Sequence, residues 1–162
     1  MASQGNTALT KGIPIIKDAF VVIVKTEWNA AIVDTLENGC KEILHGFGAA
    51  TATLLVPGAV EIGFAVKAYA KSGNRAADAF ITLGTVIRGD TPHFDYVCKA
   101  VTDSVTALNL TLDAPVIFGV LTVENEEQAF ERIGGKHGHK GEEAAVTALK
   151  MIALNRALKN EL

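Results

Sequence analysis

Four short apolar stretches constrain this chain more than any other feature: 19–24 (A-F-V-V-I-V), 51–56 (T-A-T-L-L-V), 79–83 (A-F-I-T-L) and 116–121 (V-I-F-G-V-L). The first, third and fourth lack the strict alternation of a strand with one wet face, and read as strands covered on both sides. Segments of helical period separate them. Ile32, Leu36, Cys40 and Ile43 share one face; so do Ile62, Ala65, Val66 and Tyr69, and so do Phe94, Val97, Val101, Val105 and Leu108. A last helix runs from Glu142 to about Ala157, with Ala145, Ala148 and Ile152 available for packing. Strand and helix alternating from residue 19 to the end imply a doubly wound α/β layer with parallel strands. Ile13-Pro14-Ile15-Ile16 is a further apolar segment. Its proline cannot donate to a ladder, so a strand there belongs at an edge.

Composition removes several classes of function. The 162 residues suit one domain over 13–162, preceded by a polar, loose N-terminus over 1–12. A net charge of −3 gives no support to a nucleic-acid partner. No apolar run is long enough to span a membrane. Residues 1–11 lack the apolar core of a signal peptide. Cys40 and Cys98, both on expected helices, read as core fillers in a reducing compartment, not a disulfide framework or a metal site. These features point to the cytoplasm.

Chemistry concentrates between Leu83 and Val97, L-G-T-V-I-R-G-D-T-P-H-F-D-Y-V. The strand is expected to end near Leu83 and a turn hinged by Gly84 and Gly89 to follow. Asp90 or Thr91 can cap the next helix, with Pro92 in its first position and Asp95 in its first turn. The N–H groups of Asp90 and Thr91 then form an anion site, and His93 beside it can move protons near neutral pH. Spacing alone favours a plainer reading, with His93 a solvated first-turn residue and Arg88 a surface charge.

Other candidates carry similar pairs of readings. Trp28, the only tryptophan, follows a strand's carboxyl end, where open parallel sheets hold their ligands. It could stack on a flat heterocycle or pack beneath the helix. Glu61 follows V-P-G-A-V and either compensates a helix dipole or accepts hydrogen bonds from a polyol. Phe118 could be plain core. Arg132 could be a surface cation or a forked phosphate ligand. Residues 134–141, G-G-K-H-G-H-K-G, lack the ending of a Walker loop and read as a surface loop. His137 and His139, with no third ligand, are weak evidence for a metal.

Five separated motifs, W-N, V-P-G-A-x-E, G-T-V-I-R-G-x-T-x-H-F-D-Y-V, F-G-V-L-T and E-Q-A-x-x-R, occur here in one order over about residues 13–157. Together they resemble the 6,7-dimethyl-8-ribityllumazine synthases. The resemblance implies a flavodoxin-like three-layer αβα fold with a parallel central sheet, and a residue 13–16 strand that joins a neighbouring subunit's sheet. It implies homopentamers, in some members twelve to a hollow icosahedral shell, and the compact segment after Arg132 favours the shell. The implied reaction condenses 5-amino-6-(D-ribitylamino)uracil with 3,4-dihydroxy-2-butanone 4-phosphate, giving 6,7-dimethyl-8-ribityllumazine, phosphate and water, with no metal and no redox cofactor. By the same resemblance Trp28 and Asn29 meet the uracil, helped by a Phe118 that reaches a neighbour's site. Ala59, Val60 and Glu61 hold the ribityl chain, and Thr85, Val86 and Ile87 read the pyrimidine edge. Asp90, Thr91 and Arg132 bind phosphate, and His93 is the general acid/base. Lys140 and Arg88 are further candidates, and His139 stands where the family commonly has asparagine. Besides its substrates and its own copies, riboflavin synthase is a candidate partner. The competing reading is a flavin- or lumazine-binding or shell-forming protein of the same fold without turnover.

Overall fold

The structure, a computed structural model, describes residue 9 and residues 11–160. Most of the polar N-terminus expected over 1–12 lies outside these residues. In chain order the elements are β1 (Phe20–Thr26), α1 (Ala30–Gly46), β2 (Ala50–Val56), a 3-10 turn (Ala59–Glu61), α2 (Ile62–Lys71) and β3 (Ala79–Ile87). Then come α3 (His93–Thr111), β4 (Val116–Val123), α4 (Glu126–Phe130), β5 (Ile133–Gly135), β6 (Gly138–His139) and α5 (Lys140–Asn160).

The four long strands pair in the order β2-β1-β3-β4, all parallel. Helices cover both faces, which gives the expected three layers. Val21 and Ile23 of β1 point into a core shared with α1 and α5, while Phe20, Val22 and Val24 point into a second core with α2 and α3. Both sets are buried, so the run shows no alternation. Each such side chain contributes about 1.5–3 kcal/mol of transfer free energy. β1 and β3 are the central strands, and the chain leaves them in opposite directions across the sheet. A crevice opens beyond the carboxyl ends of strands at such a reversal.

Several expected boundaries move. β3 continues through Gly84 to Ile87 instead of ending near Leu83. Gly84 is not a hinge: a Cβ there would lie 3.1 Å from Thr26 Cγ2, so glycine lets β1 and β3 approach at their ends. Residues 134–141 are not a plain surface loop, for 133–139 form an antiparallel hairpin that leads directly into α5. The His139 ring fills the space over Gly39 of α1, and its Nδ1 accepts from the Glu142 N–H at 3.3 Å. At Gly141 a Cβ would collide with the Leu36 backbone, so α5 starts in direct contact with α1. Cys40 is core, and its burial pushes the thiol up to about 12, but Cys98 is only half-buried and fills no core. Among the described residues, 13–16 pair with no strand. The Ile16 N–H donates to the Phe47 carbonyl at 3.1 Å, and Ile15 stays 73% exposed.

One ion cluster ties the edge strand to the core. The Glu37 carboxylate on α1 is 9% exposed and lies 2.5 Å from Lys25 Nζ of β1 and 2.6 Å from Lys41 Nζ. The Thr53 hydroxyl of β2 donates to it at 2.6 Å. Burial pushes this carboxyl up, but the hydrogen bonds from Lys25, Lys41 and Thr53 outweigh it and hold the group at about 2. A depressed carboxyl stabilises the fold above its unfolded value of 4.5 and loses that contribution as pH falls towards 2. Glu37→Gln should therefore cost about 1.5–3 kcal/mol at pH 7, the scale of hydrogen bonds to a charged group. Melting curves should show the gap from wild type closing between pH 4.5 and about 2. A gap independent of pH would contradict this assignment.

Candidate active site

The chain leaves β1 through a turn that its own hydrogen bonds hold open. The Glu27 and Trp28 N–H groups donate to the carbonyls of Val56 and Pro57 at 2.8 and 3.3 Å, stitching this turn to the end of β2. Asn29 takes left-handed angles, φ 59° and ψ 41°. Asparagine tolerates these better than most side chains. Its amide donates to the Thr85 carbonyl of β3 at 2.8 Å. The indole of Trp28 is thereby left 75% exposed, so it is no core tryptophan.

Trp28 stands over a cavity of about 730 Å³, within the usual range for small-molecule sites. Its walls come from four places. Trp28 and Asn29 follow β1, and Pro57 to Glu61 follow β2. Thr85, Val86 and Ile87 end β3, and Gly89, Thr91 and His93 lead into α3. Ten of the residues given site roles in the sequence thus share one cavity. The Thr91 hydroxyl accepts from the His93 N–H at 3.4 Å, and α3 starts at His93 with Pro92 at its N-cap, one residue later than the expected start at Pro92 behind an Asp90 or Thr91 cap. The His93 side chain is exposed. Such a wall offers an aromatic face, backbone donors and acceptors, a carboxylate, helix-start N–H groups and an imidazole. It suits a flat, polar heterocycle that carries hydroxyls, together with an anion.

Other expected site residues do not line this cavity. Asp90 is beside it in sequence but not in its wall. Arg88 is held by Asp95 and Glu124, at 3.0 and 2.7 Å, and is not a free phosphate ligand. Arg132 donates from Nη1 to the Gln128 carbonyl at 2.7 Å. Phe118 is not core. It points outward from β4 and lines a different hollow of about 410 Å³ together with Lys140, which also pairs with Glu143 at 2.7 Å. Conversely, Thr26, Phe94 and Val97 line the main cavity. Helical period had placed Phe94 and Val97 in the core. Both are half-buried, because the first turns of α3 overhang the cavity before the helix reaches the sheet.

Comparison with known proteins agrees with the motif pattern. The family model for 6,7-dimethyl-8-ribityllumazine synthase matches residues 18–156. This chain belongs to that family. It is 46% identical to the 6,7-dimethyl-8-ribityllumazine synthase of Cytophaga hutchinsonii, over 94% of this chain and 96% of the relative. It is 48% identical to the Bacteroides fragilis protein of the same name, over 80% of this chain and 92% of the relative. The Porphyromonas gingivalis protein of that name is 46% identical over 90% and 91%. All five motifs fall within the stretch matched by the 6,7-dimethyl-8-ribityllumazine synthase family. Among the described residues no helix is long and apolar enough to cross a membrane.

The Trp28 turn rests on the backbone of Asn29, and this can be read separately from the amide contact. Asn29→Gly loses the amide but keeps left-handed freedom. Asn29→Ala loses both, with a penalty of roughly 1–2 kcal/mol for a Cβ in that region. The alanine variant should melt below the glycine variant. Equal melting temperatures would mean that the turn relaxes to ordinary angles.

Proposed function

We propose that this chain is a 6,7-dimethyl-8-ribityllumazine synthase. It condenses 5-amino-6-(D-ribitylamino)uracil with 3,4-dihydroxy-2-butanone 4-phosphate, releasing phosphate and water. The observation that carries this reading is the single cavity that gathers Trp28, the 59–61 turn, the end of β3 and His93 in a chain of this family. Trp28 stacks on the uracil, and Asn29, through its tie to Thr85, fixes the corner that Trp28 occupies. The backbone of Thr85, Val86 and Ile87 reads the pyrimidine edge. Ala59, Val60 and Glu61 hold the ribityl chain, and Thr91, with Asp90 beside it, offers N–H groups to the phosphate.

The reaction forms an imine from an amine and a ketone, eliminates phosphate and closes a ring. Every step relocates protons, and His93 is the group in the wall suited to relay them. Both reactants are intrinsically reactive, so holding them in register supplies much of the acceleration. Phe118, Arg132 and Lys140 stand outside this cavity and complete that of a neighbouring copy. This reading is supported by the outward-facing Phe118 and by residues 13–16, which have no strand partner among the described residues. The assembly is then a homopentamer, extended to an icosahedral shell in the compact form. Two cysteines without a disulfide suit the cytoplasm, and riboflavin synthase, as consumer of the product, is a natural partner.

Lumazine formation should be followed spectroscopically against a no-enzyme blank. Wild type should exceed the blank clearly, and a rate equal to the blank would refute the enzyme. His93→Ala should lose activity towards the low end of the ~10²–10⁴-fold range for general acid–base groups, and unchanged turnover would remove its role. Arg132→Ala should raise KM for the butanone phosphate by about 10- to 10²-fold, the scale of one charge-assisted hydrogen bond. A rise confined to the uracil would contradict the phosphate assignment.

A further inference from the structure

Arg88 is the strongest cation of the signature stretch that the proposed chemistry leaves without a task. It follows the last residue of β3, and its own N–H donates to the Val123 carbonyl at 2.9 Å, continuing the β3–β4 pairing. Its guanidinium meets three groups at once. Nη2 is 3.0 Å from Asp95 Oδ1 and Nη1 is 3.4 Å from Oδ2, so the fork grips the first turn of α3. Nε lies 2.7 Å from Glu124 Oε2, just past β4. Its Cζ stands 4.1 Å from the centre of the Phe94 ring, at stacking distance. Phe94 follows His93 and forms part of the cavity wall.

From Glu124 the contacts continue. The Glu124 N–H donates to Gln128 Oε1 at 3.0 Å, and the Gln128 carbonyl accepts from Arg132 Nη1 at 2.7 Å. One path of side-chain and backbone hydrogen bonds thus runs from the His93 turn, through Arg88, to Arg132. Asp95 and Glu124 are 61% and 58% exposed. Ion pairs this wet contribute little to stability, so keeping the fold together is a poor account of the arrangement. A planar fork with five donors can serve two carboxylates and an aromatic face in one fixed geometry, which an ammonium cannot.

We propose that Arg88 is a positioning residue of the reaction: its guanidinium clasps the first turn of α3 to the ends of β3 and β4, fixing His93 and the Gly89–Pro92 turn relative to the arm that bears Arg132. The proposal rests on the lumazine synthase reading above. Arg88 touches neither substrate. It acts through Phe94 and Asp95 on one side and through Glu124 and Gln128 on the other.

The test compares wild type, Arg88→Gln, Arg88→Lys and Glu124→Gln in the lumazine assay, with both substrates varied. Aminouracil binding is followed by Trp28 fluorescence, and melting temperature and assembly size are measured beside it. Misplacement of catalytic groups by about an ångström can cost on the order of 10²-fold. Arg88→Gln should lose roughly 10- to 10²-fold in kcat/KM for the butanone phosphate. Its aminouracil affinity, melting temperature and size should stay near wild type. Arg88→Lys should recover only part of the loss, since charge returns but the fork does not. Glu124→Gln should raise KM for the butanone phosphate several-fold, and added to Arg88→Gln should do little more, as expected of residues on one path. Wild-type kinetics in Arg88→Gln would overturn the proposal. Full rescue by lysine, or losses that track melting temperature and uracil affinity equally, would overturn it too. A wild type no faster than the blank would refute the lumazine synthase reading itself, and the clasp with it. An active wild type with an equally active Arg88→Gln would refute the clasp alone.

Discussion

The hydrogen bond from the Asn29 amide to the Thr85 carbonyl joins the carboxyl ends of the two central strands, and the site is built around it. β1 and β3 run in register up to that point, with Lys25 opposite Leu83. Beyond it the chain turns towards α1 after β1 and towards α3 after β3, and the cavity is the space between the two turns. Backbone strain at Asn29 and close approach at Gly84 are the local features that let the ends meet. Placing chemistry there needs no specialised scaffold. A parallel sheet with helices on both faces leaves a crevice at its point of reversal, and the loops that line it are free to carry function.

Much of this was legible in the residues. Continuous apolar runs can be buried only on both faces, so 19–24, 79–83 and 116–121 were recognisable as strands of a covered sheet. Glycine and proline marked the turns at 57–58 and 89–92. Periodicity misled at the ends of elements, where tertiary surroundings decide. β3 outran Leu83 because Gly84 packs against Thr26 in place of bending the chain. Phe94 and Val97 fell on the right face of α3 but at a height where that face overlooks a cavity. Period alone records a face, not what lies opposite it. Cys98 misled in the same way. The 133–139 hairpin was hidden by glycine-rich composition, and what orders it lies elsewhere in the sequence: Gly39 beneath His139, and Glu131, whose backbone carbonyl accepts from the His137 N–H at 2.9 Å.

The site residues divide sharply by legibility. Those that follow β1, β2 and β3 come together in one chain, because a parallel sheet delivers all its carboxyl ends to one edge. Phe118, Lys140 and Arg132 do not join them. No local rule distinguishes a residue that serves its own cavity from one that serves a neighbour's, since the difference lies in assembly geometry. Under the proposed shared-site reading, an outward-facing phenylalanine on an edge strand and a 13–16 segment without a strand partner among the described residues are the traces an assembly would leave on one subunit. Arg88 sits where the two sets meet, with α3 and its imidazole on one side and the Arg132 arm on the other.

The central claim is a condensing enzyme whose sites are shared between copies. It is tested most directly by mixing two crippled proteins. His93→Ala and Arg132→Ala are unfolded together, refolded as mixed assemblies, and assayed for lumazine against each variant refolded alone. If one copy supplies the imidazole and its neighbour the guanidinium, a fraction of the mixed sites holds both native residues. The mixture should then run well above either parent. A mixture that merely averages its two parents would show that each site is complete within one chain, and the shared-site account would be wrong.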